Sequence, residues 1–105
     1  MKIFDIIMDG IRAEMYLLPF HEILRQSRDR LGLLQYRTAE FLGMRINRLK
    51  NLESGFFRAM PLEEEFEAIA EFFELPRGLL EDKAAIHIRS RRKDLKIRRL
   101  EDGPS

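Results

Sequence analysis

Cysteine is absent from the 105 residues. That excludes disulfide scaffolds, thiol nucleophiles and cysteine-ligated zinc, and it weakly favours a reducing compartment. No apolar run approaches the roughly 20 residues needed to span a bilayer. The first twenty residues are apolar but carry Asp5, Asp9, Arg12 and Glu14. They also lack a basic start followed by the clean apolar stretch of a signal peptide. There is no Gly-rich phosphate loop. His21 and His87 have no matching ligand at helical spacing, so both read as surface or boundary residues. Glu63, Glu64 and Glu65 are consecutive, and consecutive helical residues do not converge on one ion. No nucleophile–base pair is indicated around Ser27 or Ser54. The expectation is a protein that is not an enzyme and needs no cofactor or metal.

With 45% hydrophobic residues the chain is too apolar to be wholly disordered. Its length suits one domain with a modest core. The net charge is only +1, but it is strongly segregated. From His21 to Arg58 there are eight basic and four acidic residues. From Leu62 to Asp82 there are eight acidic and one basic, and from Ile88 to Arg99 seven basic and one acidic. Steering fields follow local charge, so two basic blocks offer surfaces for an anionic partner such as nucleic acid. The alternative is intramolecular: the acidic block neutralises the basic tail.

The periodicity is helical almost throughout. Ile23, Leu24, Ser27 and Leu31 recur at helical spacing, and Gly32 follows as a C-terminal cap. A second helix reads from Gln35 to Leu42 and stops at Gly43. A third reads from Ile46 to Glu53, with Leu49 and Leu52 inward and Gly55 beyond its end. Pro61 precedes a fourth, whose first-turn glutamates suit the positive end of the helix dipole. Its apolar stripe is Phe66, Ile69, Ala70 and Phe73. Pro76 and Gly78 mark a break, after which Leu79 to Ala85 begins a fifth helix.

The ends are two-sided. Ile3, Ile7, Ile11 and Met15 favour an amphipathic helix, while Asp9-Gly10 is a hairpin signal. Ile86/Ile88 and Leu95/Ile97 alternate around Ser90–Asp94, which reads as a hairpin or as a basic helix. The chain therefore divides into an N-terminal amphipathic segment (1–19), a helical domain (20–85) and a basic tail (86–105).

The second and third helices carry the functional signal. Ala39 is small where two helices must touch, Gly43 eases the turn between them, and Met44, Leu49 and Leu52 support the third from beneath. The opposite face then carries Asn47, Arg48, Lys50 and Asn51, with Arg45 just ahead. Arg and Lys suit phosphate oxygens and guanine edges, and Asn suits adenine edges.

Over about Phe20 to Asp82 the chain resembles the Cro/repressor (XRE-type) helix-turn-helix family. The resemblance rests on Gln35, Ala39, Gly43, the Leu52-Glu53-x-Gly55 ending, and Ile69-Ala70-x-x-Phe73-x-Leu75. It implies an all-α, five-helix domain that binds operator DNA as a two-fold dimer with the third helix in the major groove. By position it assigns Gln35 to phosphate. Arg45, Ile46, Asn47 and Asn51 would face bases, Arg48 and Lys50 would lie at the groove edge, and Arg37 and Arg58 would complete the DNA-binding set. It further implies a cytoplasmic regulator of bacterial, phage or plasmid origin.

The pattern departs from the family in several places. Leu34 and Arg45 stand where Ser or Thr usually cap, and a lost cap costs on the order of 1 kcal/mol. Phe56 and Phe57 follow Gly55, and with Leu34, Tyr36 and Ile46 they enlarge the apolar surface beside the DNA face. Such a patch suggests a protein partner at the Phe56-Phe57 loop, or cover by the chain's own N-terminal segment. The alternative function is therefore a protein-interaction module, antitoxin-like or anti-repressor-like. A third reading is an RNA binder using the tail alone. Arg89, Arg91, Arg92, Lys93, Lys96, Arg98 and Arg99 read as a phosphate-contacting arm, a dimerisation element or a solubilising tail.

Overall fold

The computed structural model describes residues 15–101, with the backbone alone for 95–101. The expected helix or hairpin of the N-terminal segment, and its role in dimerisation, fall largely outside these residues. Five helices make up the described chain: α1 (Phe20–Arg30), α2 (Gln35–Leu42), α3 (Ile46–Ser54), α4 (Glu63–Phe73) and α5 (Arg77–Glu101). The all-α expectation holds, and no strand occurs among the described residues.

Glycines end the early helices where the sequence places them. Gly32, Gly43 and Gly55 all adopt left-handed φ, between 67° and 79°. At Gly43 this allows the Met44 N–H to reach back to the Ala39 carbonyl at 3.0 Å, and the chain enters α3 two residues later. Leu34 and Arg45 stand at the N-caps of α2 and α3 with no side-chain cap bond, as their residue types require. Glu65 helps at α4, accepting a hydrogen bond from the Leu62 N–H at 2.8 Å.

The core is built from one face of each helix. Phe20, Ile23 and Leu24 of α1 meet Leu49 and Leu52 of α3, and all five are fully buried. Ala39 and Leu42 bring in α2, Phe66 and Ile69 bring in α4, and Leu80, Ala84 and Ile88 line the inner face of α5. Met15 is buried against this cluster, close to the Ser27 hydroxyl.

Phe57 corrects the sequence expectation. It is 4% exposed and meets Phe20 edge-on with ring centroids 5.3 Å apart. Only Phe56 of the pair faces outward, at 67% exposure. A single exposed position after the Gly55 turn is enough to bring the next side chain back into the core.

The two-sided reading of the C-terminus resolves to helix. The stripe Leu80–Ala84–Ile88 is strictly one turn apart, and no Gly or Pro between Ser90 and Asp94 offers a turn. Arg and Lys are good helix formers. The helix therefore crosses the expected boundary at residue 86 without a break. The acidic block does not neutralise the described part of this tail. Its carboxylates pair with Arg48 through Glu65 and with Arg77 through Glu63 and Glu81.

One buried ion pair joins the first three helices. Arg28 Nε donates to both Glu53 carboxylate oxygens, at 3.1 and 2.9 Å, and its Nη1 donates to the Leu33 carbonyl at 2.8 Å. The Glu53 side chain is 3% exposed. Breaking a buried pair from one side leaves an uncompensated charge, whereas replacing both partners with apolar residues is often neutral. Glu53→Ala is expected to lower the unfolding free energy by about 3 kcal/mol. The double replacement Arg28→Met/Glu53→Leu should recover most of that loss in urea denaturation. A double variant as unstable as the single one would contradict this account.

Candidate nucleic-acid interface

The helical period divides α3 into distinct faces. Leu49, Leu52 and Glu53 point inward. Asn47, Lys50 and Asn51 are exposed, with Arg45 exposed just before them and Ile46 38% exposed. Among the described residues the side chains of Arg45, Asn47, Lys50 and Asn51 have no intramolecular ion pair or hydrogen bond. Their donors and acceptors are available to a ligand.

Arg48 departs from the expectation. It does not lie open at the edge of this face but turns sideways to α4, where Nε and Nη2 grip Glu65 at 2.7 and 2.8 Å. The Glu65 side chain is only 12% exposed, and the hydrogen bonds from Arg48 hold its pKa below the ordinary carboxylate value against the opposing effect of burial. The cause is the helix start at Leu62, which presents Glu65 one turn into α4 beside α3.

Gln35 sits in the first turn of α2, half-buried, and its Nε2 donates to Glu53 Oε1 at 3.3 Å. Part of its amide is thus used inside the protein. Arg37 is exposed, 3.5 Å from Glu40 and 5.7 Å from the centre of the Tyr36 ring. Arg58 is exposed in the α3–α4 loop and lines a groove shared with α5. The structure therefore brings Arg45, Ile46, Asn47, Lys50 and Asn51 onto one surface. It places Arg37 and Arg58 on α2 and in the loop respectively, and withdraws Arg48 into a packing contact.

A cluster around Gly55 is absent from the sequence expectations. Gly55 is buried at the C-cap of α3 with φ 79°. A Cβ there would lie 3.2 Å from His87 Cε1. Its carbonyl accepts hydrogen bonds from His87 Nε2 at 3.0 Å and Arg91 Nη1 at 2.6 Å. The His87 ring stacks on Phe57 at 4.3 Å and lies 6.2 Å from His21. His21 Nδ1 is buried without a partner among the described residues. Thus α5 is fastened to the end of α3 through one carbonyl. Carrying the Leu80–Ala84–Ile88 stripe one more turn, past Ile88, brings Arg91 to this side. That was the available signal.

Comparison with family models, curated proteins and solved structures found no match for this chain.

Among the described residues no group of three or more His, Asp or Glu is placed to hold a metal ion. No helix there is long and apolar enough to cross a membrane. What the surface offers is recognition chemistry: amide groups that pair with base edges, and cations that pair with phosphates.

Burial lowers the His87 pKa from its ordinary value of 6.5, helped by the nearby His21 and Arg91 and opposed by the hydrogen bond to the Gly55 carbonyl. A neutral imidazole with its proton on Nε2 fits that bond. A depressed histidine pKa gives stability that is present above the ordinary value and is lost as pH falls below it. The melting temperature is expected to fall between about pH 7.5 and about pH 5.5, a window above that of the carboxylates. In His87→Gln the drop should be smaller. Equal drops in both proteins would remove His87 from this role.

Proposed function

We propose that the chain is a sequence-specific DNA-binding regulator of the Cro/repressor-like helix-turn-helix kind. In this reading α2 and α3 form the motif and α3 enters the major groove. The observation that carries it is the division of α3. Leu49, Leu52 and the Arg28–Glu53 pair fix one side, while Arg45, Asn47, Lys50 and Asn51 stand open on the other.

Asn47 and Asn51 supply base-edge recognition, with Arg45 for guanine or phosphate. Ile46 meets a thymine methyl. Lys50, Arg37 and Arg58 supply phosphate contacts, affinity and salt dependence. Gln35 contributes the amide hydrogen that Glu53 does not hold. A dimer would place two copies of α3 in successive major grooves about 34 Å apart. The N-terminal segment is the candidate for that pairing. The reading implies a cytoplasmic protein of bacterial, phage or plasmid origin.

A protein-interaction module is the second reading. It is favoured by Leu34, Tyr36 and Phe56, which are 61%, 49% and 67% exposed and lie at the start of α2 and just past the end of α3. Phe57 lies inside the core, so of the two phenylalanines only Phe56 contributes, with Met60 and Leu62 also exposed in that loop.

Asn47→Ala tests the proposal. On the preferred duplex it should weaken binding by about 1–3 kcal/mol, roughly five- to 150-fold, with a much smaller effect on random duplex. Equal loss on both would end the base-reading role of Asn47.

A further inference from the structure

The α3–α4 loop and the outer part of α5 enclose a groove of about 440 Å³ beside the C-terminus of α3. Ser54, Arg58, Ser90 and Arg91 line it, with Asp94 also on its wall. A hollow of about 220 Å³ shares Arg58 and Arg91 with the groove and adds Arg92. Two arginines from two elements, Arg58 and Arg91, thus border the groove, and Arg92 borders only the adjoining hollow.

Arg91 is held in place. Its Nη1 is committed to the Gly55 carbonyl, and its guanidinium carbon lies 5.6 Å from the centre of the exposed Phe56 ring. A guanidinium has five N–H donors, so the rest of the fork remains available. Among the described residues no carboxylate lies within ion-pairing distance of Arg58, Arg91 or Arg92, Asp94 included. The Ser54 hydroxyl already donates to the Lys50 carbonyl at 2.7 Å, which leaves the Ser90 hydroxyl as the uncommitted donor.

We propose that this groove binds a phosphate oxyanion. Two arginines from different elements, with the Ser90 hydroxyl beside them, offer donors from separate directions to an oxyanion with several non-ester oxygens. The groove adjoins the end of α3, so a DNA strand passing along that helix would continue onto α5. As a site for backbone phosphate the inference rests on the regulator reading. As a site for a small phosphorylated ligand it stands without that reading. Asp94 weakens the site by repulsion.

The test uses the full chain, isotope-labelled, with inorganic phosphate and a short mixed-sequence duplex as separate probes. Phosphate, compared with chloride at equal ionic strength, should shift the backbone amides of Phe56, Ser90 and Arg91. Arg58→Gln should abolish those shifts, and Asp94→Asn should produce them at lower phosphate concentration. With duplex, Arg58→Gln should flatten the slope of log affinity against log salt by roughly 0.9, the loss of one phosphate contact. Shifts with phosphate but no duplex binding would support the groove as a small-anion site and overturn the regulator reading. Duplex binding with an unchanged slope and no phosphate shifts would overturn the groove and leave the regulator reading intact. No response to either probe would overturn both.

Discussion

The Glu53 carboxylate is the point on which the arrangement of α1, α2 and α3 depends. It is buried near the C-terminal end of α3, takes two hydrogen bonds from Arg28 of α1 and one from Gln35 of α2. Arg28 in turn holds the Leu33 carbonyl in the α1–α2 loop. A buried pair of this kind adds little net stability beyond what apolar residues would give. What it fixes is direction. An apolar contact tolerates sliding, whereas hydrogen bonds near 3 Å do not. With Leu49 and Leu52 beneath it, α3 has one rotation about its axis that satisfies the carboxylate. That rotation leaves Asn47, Lys50 and Asn51 outside.

The second constraint acts two residues further on, at the cap of the same helix. Gly55 ends α3, and its carbonyl is taken by His87 and Arg91 of α5. The third fastening is the Arg48–Glu65 pair to α4. So α3 is tied to α1, α2 and α4 through side chains on its inner and lateral faces, and to α5 through the backbone carbonyl of its cap. Its outer face carries none of these restraints. A rigid helix with an uncommitted polar face is what direct readout of a duplex requires, because each base contact depends on sub-ångström placement. On α5, Arg89, Arg92 and Lys93 are exposed as well.

Much of this was legible in the sequence because the signals were local. Left-handed glycines at 32, 43 and 55 and the prolines at 61 and 76 bound the helices, and α2 runs from Gln35 to Leu42 as the periodicity indicates. The outward positions of Asn47, Lys50 and Asn51 follow from the inward positions of Leu49 and Leu52. What was not legible depended on pairs distant in the chain. Arg48 looked like an open cation until Glu65 came beside it. Phe56 and Phe57 are equal as letters, and only the space between Phe20 and His87 decides which enters the core. His87 looked isolated because its partner is a backbone carbonyl, which no residue type announces. The alternation at Ile86/Ile88 suggested a strand, but the turn-by-turn burial of Leu80, Ala84 and Ile88 prevailed.

The most direct test is selection from a randomised duplex library at near-physiological salt, with sequencing of the bound fraction. The account predicts a defined motif, arranged as an inverted repeat with half-sites about one helical turn apart. A retained pool without enrichment would reduce the interaction to charge alone. No retention of any duplex would contradict the account and leave the open face of α3 to a protein partner.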